Sequence, residues 1–538
     1  LKILRFLFLI TLGTQIAICQ DVNTLDTGKL GWWVKKNTDT QPSVDIEGAY
    51  NYIQSKGLKA RAVTTIAILD TDIDIEHKDL ANNIWKNNNE TPNNQLDNDK
   101  NGYVNDVYGW NFIGNKIDGT SLDYTLMEET RILRKYTKEE LNKLYSKKKI
   151  LYTYEQVKQS YDDIVVSLKN KIKPYEDAEA GYVWAMDTLK NTFNKESFTI
   201  DELNNLTSKD TIVQQSIDYV KALYNDGYEY EKFMTYLDFK RKSLEVCMNL
   251  EYDNRELIGD DISNYKDNQY GSPYIAKNVS NIDHGTKVAG VLGLLYNKLN
   301  ELSDKKHFYI MPLVITGIGD PTDKDTALAI RYAVDNGAKV INVSQTKSFS
   351  INDKLVDKAL SYAEKKDVLI IKSAGNEGIH LDENIRFPND TNHKGEEIVD
   401  NVIIVGAVTK VSQRSKKSVL YKNSSYGKNN VDIYAPGSRI NTLIPDNKYK
   451  RSSGTSYAAP IVTGIASLIR SYFPSLTARE VKQILMDSGT PYDVEVEFEE
   501  EKKRILFSEL SKSGKVINAY NALLMAEKVV NGKPFYSK

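Results

Sequence analysis

The sequence predicts an α/β fold, a mostly parallel sheet with helices on both faces, interrupted by an inserted all-helical subdomain. Three observations predict it. Short apolar runs alternate with amphipathic segments over residues 61–119 and 266–538. Residues 120–265 show no clear strand. That stretch instead carries three Thr-x-x-Glu/Gln helix starts, at Thr137, Thr153 and Thr199.

In chain order, residues 1–19 read as an export signal. Lys2 and Arg5 precede an apolar run, and Ala17 and Cys19 offer small side chains for cleavage before Gln20. A second reading makes Cys19 a lipid anchor, which the bulk of Ile18 disfavours. Cys247 is the other cysteine, so the processed chain is expected to hold one buried thiol and no internal disulfide. Residues 20–60 form a short N-terminal extension. No later run reaches the ~18 apolar residues of a membrane span. The net charge is −2, so no basic excess points to nucleic acid or an anionic membrane as partner. Oligomeric state is not legible.

Strands are expected at 65–69, 309–314, 339–343, 368–371 and 402–405. Helices are expected at 325–336, where Ala327, Ile330, Ala333 and Val334 share a face and Gly337 stops the pattern, and at 353–365. In the insertion, Val157, Tyr161, Ile164, Val165, Leu168 and Ile172 form one apolar stripe, and Phe233, Leu237, Leu244 and Cys247 another. Both read as helix packing.

Three segments carry chemistry. Ile68-Leu69-Asp70-Thr71 ends a buried strand with a carboxylate, at the sheet edge where α/β proteins gather ligands. Asp283-His284-Gly285-Thr286 puts a histidine at a helix start. Ser453-Gly454-Thr455-Ser456 puts a serine at the N-terminus of an apolar helix, where N–H groups and the dipole suit an oxyanion. A serine hydroxyl is a weak nucleophile at neutral pH and needs a base. A histidine held in the right tautomer by a buried carboxylate supplies one. No cofactor is required for this chemistry. Separately, Asp97, Asp99, Asn101 and Asp106 surround Gly102 like the start of a Ca²⁺ loop, although Tyr108 stands where the usual bidentate Glu would be. A bare Asx-rich turn is the alternative. His77, His307, His380 and His393 show no metal-ligand spacing.

The segments His284-Gly285-Thr286-Lys287-Val288-Ala289-Gly290, Ser373-Ala374-Gly375-Asn376 and Gly454-Thr455-Ser456-Tyr457-Ala458-Ala459-Pro460 resemble the signature regions of the subtilisin-like serine protease (subtilase) family. The order Asp, His, Ser is also that of subtilisin. The likeness is to long secreted bacterial members with a widened gap between Asp and His. It implies a subtilisin-like sheet and peptide-bond hydrolysis by a secreted endopeptidase, with peptides or proteins as substrates. It further implies Asp70, His284 and Ser456 as the triad and Asn376 as the oxyanion donor. Ser344, Gln345, Thr346, Ser373, Ala374 and Gly375 would line the substrate groove. Departures are Asp72 and Thr346 in place of glycines, Lys287 in place of a second His, and Tyr457 in place of Met. Two rivals stand beside hydrolysis. One is acyl transfer to an amine, giving ligation or cyclisation. The other is a peptide-binding protein that has lost catalysis, supported only by residues 72 and 346.

Overall fold

The computed structural model describes residues 30–532, apart from 39–40, 226, 228, 266, 268–269, 278, 280–281, 304, 412–418 and 499–502. The expected export signal and Cys19 lie outside the described residues. The chain forms two compact units, Leu1–Asp123 with Arg255–Lys538, and Tyr124–Asn254. The second is narrower than the expected insertion at 120–265.

In chain order the elements begin with α1 (Ile46–Lys56), β1 (Thr64–Asp70) and β2 (Trp110–Asn111). The second unit holds α2 (Glu128–Lys135), α3 (Lys138–Ser146), α4 (Tyr154–Phe193), α5 (Ile200–Asn204), α6 (Thr211–Asn225) and α7 (Tyr230–Lys242). The first unit resumes with α8 (His284–Asn300), β3 (Phe308–Val314), α9 (Asp323–Asp335), β4 (Val340–Val343), α10 (Asp353–Lys365), β5 (Leu369–Ser373) and β6 (Val402–Val408). Then come β7 (Ile433–Pro436), β8 (Ile440–Ile444), β9 (Lys448–Ser452), α11 (Thr455–Tyr472) and α12 (Ala478–Asp487). The chain closes with β10 (Thr490–Pro491), β11 (Glu495–Phe498), β12 (Lys503–Leu506), β13 (Lys515–Val516) and α13 (Ala519–Val530).

Nine strands form one sheet in the order β10-β13-β7-β6-β5-β4-β1-β3-β2. Its pairings are parallel except β10 with β13. The expected α/β class and mostly parallel sheet are borne out. The reason is visible in burial. Successive strand residues feed opposite faces, and both faces are covered, so the strands read as continuous apolar runs. Ile66 and Ile68 of β1 join the core under α8 and α11, whereas Ala67 and Leu69 join the core under α9 and α10. Every residue of α11 is buried, its apolar side chains in the core and its Arg470 hydrogen-bonded to the Leu476 carbonyl and to Asp367.

The N-terminal extension is no appendage. Val44, Ile46, Ala49 and Ile53 lie in the core that holds α8 and α11, and the Tyr52 hydroxyl on α1 donates to Glu527 Oε2 on α13 at 2.6 Å. In the second unit, the reciprocal capping-box bonds form at Thr137, Thr153 and Thr199. This unit has a core of its own, with Ala185 and Leu189 of α4 packed beside Leu203 of α5 and Ile217 and Val220 of α6.

Parallel pairing aligns the ends of three strands. Leu69 lies opposite Val343, and Val343 opposite Lys372. Asp70, Ser344 and Ser373 therefore reach the same carboxyl edge. There β3 and β4, consecutive in the chain, flank β1 on opposite sides. An open α/β sheet presents its binding crevice at such a reversal.

Candidate active site

Asp70, the last residue of β1, is fully buried. His284, the first residue of α8, keeps 30% of its side chain exposed and places Nδ1 2.6 Å from Asp70 Oδ1. Two side chains dock the histidine segment onto the aspartate segment. Thr71 Oγ1 accepts the Gly285 N–H at 2.8 Å, and Thr286 Oγ1 accepts the Asp74 N–H at 2.9 Å. Glycine is required after the histidine, because a Cβ at 285 would lie 2.3 Å from the Thr71 carbonyl oxygen. Burial draws the His284 imidazole towards its neutral form, but the Asp70 charge and hydrogen bond outweigh it, and the pKa lies above its ordinary value.

Ser456 is the second residue of α11, where a helix has no intrahelical acceptor for the backbone N–H. Four residues on, Pro460 has no N–H to give the Ser456 carbonyl. Ser344 fills that gap: its Oγ donates to Ser456 O at 3.0 Å, and Ser456 Oγ donates to Ser344 O at 3.2 Å. The serine hydroxyl thus donates to the Ser344 carbonyl rather than to the histidine. A serine–histidine bond often forms only with substrate present.

Asn376 follows β5 and is exposed. Its Oδ1 accepts the Thr455 N–H at 2.8 Å and Thr455 Oγ1 at 3.2 Å. A backbone N–H can only donate, so the amide oxygen must face Thr455 and the Nδ2 end must face away from it. Thr455 Oγ1 also accepts the Gly375 N–H at 3.2 Å, which ties the turn after β5 to the start of α11. Gly454 allows this approach: its φ is +147°, and a Cβ there would sit 3.2 Å from Asn376 Oδ1.

The structure therefore brings Asp70 and His284 into contact, joins Ser344 to Ser456, and fixes Asn376 against Thr455. Gly375 and Ser373 stand at the end of β5 beside them, with Ala374 fully buried. Neither Asp72 nor Thr346 has a positive φ, so a side chain at these two positions carries no backbone strain. Asp72 is buried, and its Oδ1 accepts the Lys277 N–H at 2.8 Å. Lys287 pairs with Asp283 at 2.5 Å. The Tyr457 ring lies 6.1 Å from the imidazole and is 6% exposed.

Asp99 and Asp106 converge, but the third carboxylate with them is Glu90, which spacing did not flag. Glu90 Oε1 accepts the N–H groups of Asn98 and Asp99, while Oε2 is buried without a hydrogen bond. Asp97 instead accepts backbone N–H groups of Asn101 and Gly102. Asn101 donates its amide to Asp99 and Asp106. Burial, foremost, holds the Asp106 carboxyl above its usual range, and the Asp99 charge adds to it against hydrogen bonds from Tyr332, Asn101 and Asn87.

The profile of the subtilase family matches residues 62–504. A thermophilic serine proteinase of Bacillus sp. (strain AK1) is 28% identical over 339 residues, 57% of this chain and 78% of that protein. Subtilisin DY of Bacillus licheniformis is 31% identical over 227 residues, 41% of this chain and 76% of its own. A solved structure, that of the prenylagaramide maturation protease, is 25% identical, covers 45% of this chain and 81% of its own, and has a TM-score of 0.33.

Proposed function

The chain belongs to the subtilase family of serine endopeptidases, which act on peptides or proteins, and from that premise we propose a mechanism on named residues. Hydrolysis runs through an acyl-enzyme on Ser456. His284 takes the Ser456 proton, and Oγ attacks the scissile carbonyl. The Ser456 N–H and Asn376 Nδ2 hold the oxyanion. His284 then protonates the leaving amine, and a water repeats the sequence to free the acid. Asp70 holds Nδ1–H and stabilises the imidazolium. One observation carries the reading: four segments far apart in the chain place these groups at one sheet edge, with the Asp70–His284 bond already formed at 2.6 Å. A fluorophosphonate probe, followed by peptide mapping, should label Ser456 and block cleavage of a proteome-derived peptide mixture. Cleavage that persists after full labelling would refute it. Export belongs to the same reading and is supported by the leader-like residues 1–19. Among the described residues no helix is long and apolar enough to cross a membrane.

A structural Ca²⁺ at the acidic loop is part of the proposal. The fit rests on Glu90 Oε2, a buried carboxylate oxygen with no donor, beside Asp99 and Asp106. Hard cations take oxygen ligands of this kind. A ligand bound only by the native state stabilises it, by about 2.7 kcal/mol at a hundred times its Kd. EDTA should therefore lower Tm, and millimolar Ca²⁺ should restore it. Glu90→Gln should abolish the difference. Equal Tm values in EDTA and Ca²⁺ would leave the loop as a plain Asx-rich turn.

Tyr457 leads to a second expectation. A methionine beside the nucleophile can oxidise to a bulky polar sulfoxide, a route closed to tyrosine. Activity should outlast peroxide doses that inactivate relatives with Met there. Loss at the same dose, with the other methionines intact by mass, would contradict this.

A further inference from the structure

Gln345 lies two residues beyond β4 and is half-buried. The family likeness places it in the substrate groove, but its amide lies on the Asp70–His284 pair. Nε2 is 3.3 Å from Asp70 Oδ1 and 3.4 Å from His284 Nδ1. Asp70 Oδ1 also receives the Thr71 N–H at 2.8 Å and His284 Nδ1 at 2.6 Å. Its other oxygen, Oδ2, is buried and accepts no hydrogen bond. One oxygen thus gathers three donors while its twin has none.

Charge decides the amide orientation. Turning Oε1 towards Asp70 would set two acceptors against each other. Nor does His284 Nδ1 accept from the amide, because at 2.6 Å from a carboxylate it carries the proton that bridges them. Nε2–H and Nδ1–H are therefore rival donors to one oxygen.

We propose that Gln345 is a positioning residue of the catalytic relay, sharing the Asp70 carboxylate with His284 and setting the pH range in which the imidazole acts as a base. The inference rests on the serine-protease reading above. The groups facing His284 are Asp70 at the end of β1, Asp283 and Lys287 at the start of α8, and the Tyr457 ring on α11. Asp283 and Lys287 pair with each other, so they offset. Asp70 is then the main source of proton affinity, and a neutral donor on it draws part of that charge away. Gln345 works against the rise that Asp70 causes.

Two variants of similar volume test this. Gln345→Met removes the donor, and Gln345→Glu replaces it with a carboxylate. The His284 titration is followed by NMR in the Ser456→Ala protein, so it reads out whether or not the chain cleaves peptides. Its midpoint should rise by about 0.5 unit with Met and by about one unit or more with Glu. In the active protein, the acid limb of kcat/KM should move by the same amounts, with plateau KM changed by less than about twofold. An unmoved or lowered His284 midpoint in Gln345→Met overturns the proposal, whatever Gln345→Glu does. If the midpoints shift as stated but wild-type protein hydrolyses no peptide, the hydrolase reading fails and the Gln345 relation stands. Thermal unfolding confirms that each variant is folded.

Discussion

Ser456→Ala is expected to lower kcat on a peptide substrate by about 10⁶-fold, the size of this loss in subtilisin, from which it is carried over. The hydroxyl makes one hydrogen bond, to the Ser344 carbonyl, so its removal should leave Tm nearly unchanged. Asp70→Asn should cost about 10⁴-fold, again by analogy with other triads. An asparagine offers Nδ2–H where Asp70 offers an acceptor. Imidazole would then turn Nδ1 into the acceptor and carry its proton on Nε2, where it cannot take one from serine. Both variants are read with the same chromogenic peptide. Full turnover in Ser456→Ala would end the acyl-enzyme reading.

Asn376→Ala should lower kcat by about 10²–10³-fold with little change in KM, a range carried over from the equivalent asparagine of subtilisin. The loss is confined to kcat because the oxyanion exists only after attack. Alanine also strips Thr455 of the acceptor for its N–H, so a fall in activity could reflect a loosened α11 start. Asn376→Asp separates the two effects. It keeps an oxygen for Thr455 N–H, now 2.8 Å from Oδ1, but turns the donor that faces away into a second acceptor. Its kcat should fall at least as far as that of the alanine variant, with Tm preserved. Wild-type kcat in Asn376→Asp would remove Asn376 from the oxyanion hole.

Much of the fold was legible because burial wrote it into composition. Strands β1 and β3–β6 are covered on both faces, so each needs an apolar run, and helices α9 and α10 need an apolar stripe. Residues 110–111, 490–491 and 515–516 pair at the sheet margins over only two residues each, too few for any periodicity. The hairpin β8–β9 has no such signature, because β9, Lys448–Ser452, is polar and largely solvent-facing. Residues 20–60 read in the sequence only as a short N-terminal extension. Nothing in the local pattern says what its apolar side chains pack against, and only the three-dimensional core shows where Val44, Ile46, Ala49 and Ile53 go.

The sequence by itself determined which groups are chemically available. Asp70, His284, Asn376 and Ser456 sit in short local contexts, a strand end, two helix starts and a turn, and local contexts are what a sequence displays. Tertiary structure alone decided their relations. The Asp70–His284 contact spans 214 positions and the Asp70–Gln345 contact 275. Only the parallel register that lines up β1, β4 and β5 brings them to one edge. The same holds for Glu90, which meets Asp99 and Asp106 by a fold of the loop rather than by spacing. It holds too for Gln345, whose direction depends on where a buried charge lies. A side chain's type is a property of its position in the chain, but its partner is chosen by packing, because a buried donor or charge must find whatever acceptor the folded chain places within about 3 Å.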